Sequence, residues 1–67
     1  MELKIDKESN AAYIELKKIA PGEVDKTIAL NEAINIDIDK NGKILGIEIL
    51  DATKNLSIDT INKAVKN

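Results

Sequence analysis
The chain has no cysteine, histidine, tryptophan or phenylalanine, one tyrosine and one proline. Each absence narrows the chemistry. Without cysteine there is neither a disulfide framework nor a thiolate zinc site, and without histidine any metal would have to be held by oxygen. The side chains from which enzymes usually draw nucleophiles and bases are nearly missing. Tyr13 alone offers no stacking platform for single-stranded bases. Lysines and acids are interspersed at a net charge of −2, which leaves no basic footprint for nucleic acid. No apolar run is long enough to span a bilayer, and Met1 to Asp6 lacks the apolar core of a leader. The expectation is a cytoplasmic protein that is not an enzyme, has no cofactor and contacts neither nucleic acid nor membrane.

What is present is isoleucine in alternation, a pattern that favours strands. From Ile34 to Ile38 the run Ile-Asn-Ile-Asp-Ile has one apolar and one polar face. Asn41-Gly42 follows, a strong signal for a two-residue hairpin turn of type I′. In that register Lys40 faces Lys43, Ile38 faces Leu45, Ile36 faces Ile47 and Ile34 faces Ile49. A three-residue loop would set Ile36 opposite Gly46 and Ile34 opposite Glu48, and a slip of one residue moves a whole face. The two-residue loop is therefore expected, with Asn35, Asp37, Asp39, Ile44, Gly46 and Glu48 on the second face.

Around this hairpin, Leu3 and Ile5 mark a first strand, and Ala12, Ile14 and Leu16 the inward positions of a second. Pro21-Gly22 reads as a type II turn. Val24, Ile28 and Leu30 suggest a third strand, returned to the hairpin through Asn31-Glu32-Ala33, a corner where alanine suits positive φ poorly. Ser57 can cap a C-terminal helix carrying Leu56, Ile58, Ile61, Ala64 and Val65, with Asp59 early and Lys63 and Lys66 late. The expected fold is one small α+β domain over residues 1–67. It consists of an antiparallel β-meander of about five strands, with a central Asn-Gly hairpin and one short C-terminal helix packed on the sheet. A chain of 67 residues builds only a marginal core by itself.

Certain residues invite a chemical reading. Asp37-x-Asp39-x-Asn41-Gly42 followed at the right spacing by Glu48 matches the EF-hand calcium loop, whose hard oxygens recur at alternate positions around a glycine turn. True EF-hand loops lie between helices, whereas these flanks alternate like strands, so the hairpin is the preferred reading and a cation site at Asp37, Asp39, Asn41 and Glu48 the alternative. Asp37, Glu48 and Asp51 lack a nucleophile or oxyanion donor nearby and read as a solvated face. Gly46 interrupts a strand, which is tolerated where something approaches closely. In a meander it would lie near Tyr13. With Ile44 and Leu50 these residues would form an interaction strip for a homodimer or an unidentified protein partner; alternatively the helix lies on that face and the alternating isoleucine face makes the dimer contact.

One resemblance accompanies this reading. The segments Ile5-Asp6…Asn10-Ala11-Ala12-Tyr13-Ile14 and Ile36-Asp37-Ile38-Asp39…Gly42-Lys43-Ile44-Leu45-Gly46-Ile47-Glu48-Ile49-Leu50-Asp51-Ala52 resemble the DUF2283 family of small prokaryotic proteins of uncharacterised function. The likeness extends to about Lys54. It implies a β-rich module and carries no catalytic residues over. Asn10 departs from the family's usual Asp and Ala33 from its common Gly, which weakens any role needing a carboxylate at position 10.

Overall fold
A computed structural model describes residues 1–66. Six strands, β1 (Glu2–Asp6), β2 (Ala11–Glu15), β3 (Lys26–Ala29), β4 (Ile34–Ile38), β5 (Ile44–Ile49) and β6 (Val65–Lys66), form one mixed sheet. Two short helices, α1 (Ala52–Asn55) and α2 (Ile58–Lys63), lie between β5 and β6. Among the described residues no helix is long and apolar enough to cross a membrane.

The order across the sheet is β3-β4-β5-β2-β1-β6, which corrects the five-stranded meander. β2 pairs with β5 and not with β3. Residues 16–25 are long enough to carry the chain past the β4–β5 pair to the far edge, so adjacency in sequence does not force adjacency in space. The physical return is burial. β5, the most apolar strand, becomes central, with Ile47 between Ile14 and Ile36 and Ile49 between Ala12 and Ile34. β6 is the second departure: it runs parallel to β1, so the sheet is mixed.

The turn of the β4–β5 pair also differs from expectation. Type I′ geometry needs positive φ at Asn41 and Gly42, but only Gly42 has it, at 80°. Asp39 N–H donates to Lys43 O at 2.9 Å and Gly42 N–H to Asp39 O at 3.0 Å, so Lys40, Asn41 and Gly42 make a three-residue loop. That loop alone would shift the ladder by one residue. A β-bulge restores it: Ile38 pairs with Ile44, Leu45 is the extra residue, and Asp37 pairs with Gly46. Ile36 then meets Ile47 and Ile34 meets Ile49. Loop and bulge cancel.

The corner at residues 31–33 avoids positive φ altogether. Asn31 Oδ1 accepts from the N–H groups of both Ala33 and Ile34, each at 2.8 Å, so a side chain does what glycine would otherwise do. At Pro21-Gly22 the turn has the expected form, Glu23 N–H donating to Ala20 O at 3.1 Å. Asn10, in left-handed geometry at φ 55°, anchors the other end of the sheet. Its carbonyl accepts from Ala52 N–H, while its side chain accepts from Thr53 N–H and donates to Thr53 Oγ1. An Asp could keep both contacts only with the hydroxyl bond reversed, Thr53 Oγ1 donating to the carboxylate.

The single expected helix is two, because Leu56 and Ser57 take extended backbone between them. Ser57 does cap α2, its Oγ accepting from Thr60 N–H at 3.2 Å, with Asp59 in the first turn and Lys63 in the last. Ala64 and Val65 leave the helix: Ala64 is extended and Val65 enters β6. Ser57→Ala is expected to destabilise the protein by about 1 kcal/mol, read from urea unfolding followed by circular dichroism.

The core lies on one face of the sheet. Ile5, Ala12, Ile49, Ala52 and Ala64 are buried together, with Leu3, Ile14, Ile47, Leu56 and Ile61 packed against them. These residues come from β1, β2, β5 and the helical segment; β3 and β4 contribute none. The helices thus clothe half of the apolar face. Over β3, Ile28 is 47% exposed and Leu30, just beyond it, 62%.

Candidate functional site
The opposite face carries the polar residues of the alternation. Pairing places Thr27 beside Asp37, Asp37 beside Gly46, Asn35 beside Glu48 and Tyr13 beside Glu48, so these side chains share one surface. Tyr13 reaches diagonally over Gly46. A Cβ built on Gly46 would overlap Tyr13 Oη and Cζ and stand 2.6 Å from Cε2, so the missing side chain is the space the phenol occupies. From there the Tyr13 hydroxyl donates to Asp37 Oδ2 at 2.7 Å. Thr27 Oγ1 donates to the other oxygen of the same carboxylate at 2.5 Å, and Asn35 Nδ2 donates to Glu48 Oε1 at 2.9 Å. Lys4 lies between Glu2 and Glu15 at 3.7 and 3.5 Å.

The phenol is held well above its ordinary value of 10.0, first by burial and then by the hydrogen bond and charge of Asp37, with Glu15 and Glu48 adding to it. A group whose pKa is raised by folding loses its stabilising contribution as pH climbs past the unfolded value. Here that means stability falls above about pH 10, where the unfolded chain ionises and the folded one does not. With one tyrosine in the chain, phenolate absorbance reads this group alone. Its rise is expected to coincide with loss of the circular dichroism signal, and Tyr13→Phe should flatten that part of the alkaline stability profile.

The calcium-loop residues are distributed differently from a coordination sphere. Asp37 is engaged by Tyr13 and Thr27, and Glu48 by Asn35. Asp39 Oδ1 accepts from Asn41 N–H and Lys43 N–H, both at 2.9 Å, and so shapes the turn. Among the described residues no three acidic side chains are grouped so as to hold a metal ion. Of the expected interaction strip, Tyr13 and Gly46 are in contact. They meet because β2 leaves the meander order and lies beside β5. Ile44 pairs with Ile38, on the apolar face, and is half exposed; Leu50 lies just past the end of β5. Asp51 takes left-handed backbone at the N-cap of α1.

Thr27 is not singled out by the sequence pattern, although it sits at a polar position of an alternating run; Asn35 lies opposite Glu48, as the expected register has it. The register of β3 against β4 is what identifies Thr27. Two depressions open beside these elements. One of about 360 Å³ is lined by Asn31, Glu32, Ala33, Asp51, Lys54 and Asn55; the other, of about 210 Å³, lies between Lys4, Asp6, Ser9, Tyr13 and Glu48. The first is lined mainly by polar groups, the second by polar and apolar groups in about equal share, Ala11 and Ala12 included.

Fold and site together define a small α+β protein built on a mixed sheet, with one polar face knitted by hydrogen bonds and one apolar face half covered. The chain belongs to the family described as "Protein of unknown function (DUF2283)", which it matches over residues 2–52. That span runs from β1 into the first residue of α1. No curated protein and no solved structure matches the chain.

Proposed function
We propose that this protein is a non-enzymatic interaction module that acts by contact with a second copy of itself. The half-covered apolar face carries this reading. The helices pack over β1, β2 and β5, whereas Ile28 and Leu30 on the far side are 47% and 62% exposed, and Val24, ahead of β3 in the chain, is 39% exposed. Apolar side chains grouped in this way gain by removal from water, at roughly 25 cal/mol per Å². A core this small gains proportionally more from such a contact than a large one does. The polar face supports the same reading, because its donors and acceptors are already paired with one another and its phenol is pinned under Asp37.

The test is the oligomeric state of Ile28→Lys and Leu30→Lys by size exclusion with light scattering. Both residues are exposed, so the folded single chain should tolerate a lysine at either position. The wild-type chain is expected to elute as a dimer at high concentration and both variants as monomers with unchanged circular dichroism. Variants that dimerise like the wild type would remove the apolar half-face as the contact.

A further inference from the structure
We infer that the second copy docks on the free edge of β3, antiparallel and in one register, so that two six-stranded sheets join into one. This rests on the self-association proposed above and adds its geometry.

β3 ends the sheet, and all four of its residues are exposed. Leu30 N–H donates to Ile34 O at 2.8 Å, and hydrogen-bonded pairs alternate along an antiparallel ladder. Ile28 and Lys26 therefore also turn their backbone groups toward β4, and Thr27 and Ala29 turn theirs outward. Asp25 N–H is taken by Ile38 O and Asn31 N–H by Ile34 O, so the outward set is confined to Thr27 and Ala29. The opposite edge, β6, is only Val65–Lys66.

A two-fold axis normal to the sheet keeps each face on its own side, so facing residues must have the same parity. Among such registers, the one that sets Thr27 opposite Ala29 of the second copy satisfies every outward N–H and C=O of both strands. Centring the axis on Thr27 would oppose Ala29 to Asp25, and centring it on Ala29 would oppose Thr27 to Asn31; each wastes groups on a residue already bonded. In the favoured register Ile28 faces Ile28 of the second copy as a non-hydrogen-bonded pair, with Cα atoms about 4.5 Å apart. The half-exposed isoleucines then cover each other on the apolar face.

Charge agrees with this register. Lys26 is the one charged residue of β3, and an edge lysine ordinarily discourages pairing. Here it stands opposite Leu30 of the second copy, so its aliphatic stem lies along an apolar side chain while its ammonium stays in water. No like charges face each other, since Asp25 meets Asn31. The symmetry doubles each contact.

Amide hydrogen exchange at low and high protein concentration tests the geometry, beside one proline variant. Thr27 and Ala29 amides, open in the single chain, are expected to slow at least tenfold at the concentration where the chain dimerises. Ala29→Pro, which removes an outward N–H and leaves the bonds to β4 in place, should weaken dimerisation at least tenfold. Dimerisation with Thr27 and Ala29 still exchanging fast, or an Ala29→Pro variant that dimerises like the wild type, would overturn the edge pairing and leave self-association standing. A chain that stays single at every concentration would overturn both.

Discussion

Gly46→Ala is expected to destabilise the protein by about 1–3 kcal/mol, the range for forcing an extra group into filled space. In most strands the same change would help, because alanine loses less backbone entropy than glycine on folding, by roughly 0.5–1 kcal/mol. Here the new methyl takes the place of the Tyr13 ring. Once displaced, the phenol can no longer donate to Asp37, and the part-buried carboxylate keeps only Thr27. The diagnostic feature is a change of sign. In a Tyr13→Ala background the obstacle is gone, and Gly46→Ala should be neutral or stabilising by up to about 1 kcal/mol. Urea unfolding of the four proteins of this cycle reads the coupling. Additive effects would mean that Tyr13 does not occupy the surface of Gly46.

The second large effect is expected at Leu45. It is 2% exposed and is the largest side chain the fold buries completely, although it sits at the bulge. Leu45→Ala should destabilise by about 2–5 kcal/mol, through lost transfer energy and the cavity left behind. Domains hold about 0.05–0.15 kcal/mol per residue, which is roughly 3–10 kcal/mol for this chain, so the variant should be largely unfolded in moderate urea where the wild type is not. A loss below about 1 kcal/mol would show that the bulge can turn Leu45 outward without penalty, contrary to its burial.

These two neighbours also show where the sequence was legible and where it was not. Period-two patterning identified Ile34, Ile36, Ile47 and Ile49 as facing residues, and they are the observed pairs. It could not distinguish a two-residue loop from a three-residue loop followed by a bulge, because both deliver those pairs. Only the backbone at Asn41 separates them, and Asn-Gly is compatible with either. Ser57 and Pro21-Gly22 were readable because caps and turns are decided by neighbours in sequence. Strand order was not, since it depends on how β5 buries both flanks against β2 and β4. The meeting of Tyr13 with Gly46 follows from that order, so glycine in mid-strand announced a close approach without naming the route that produced it. Thr27 was missed for the same reason: its partner is defined across the ladder. The calcium-loop spacing is open to two readings in the same way. Alternate acids around Asn-Gly suit a metal loop, and they equally suit a hairpin whose Asp39 closes the turn and whose Asp37 belongs to the polar face.

The most direct test of self-association is sedimentation equilibrium of the wild-type chain across a wide concentration range at neutral pH. The mass is expected to rise from that of one 7.3 kDa chain to that of two and to stop there, as a closed two-fold contact requires. A mass that stays at one chain throughout would contradict the proposed function. A mass that climbs without limit would show an open contact in place of a closed pair.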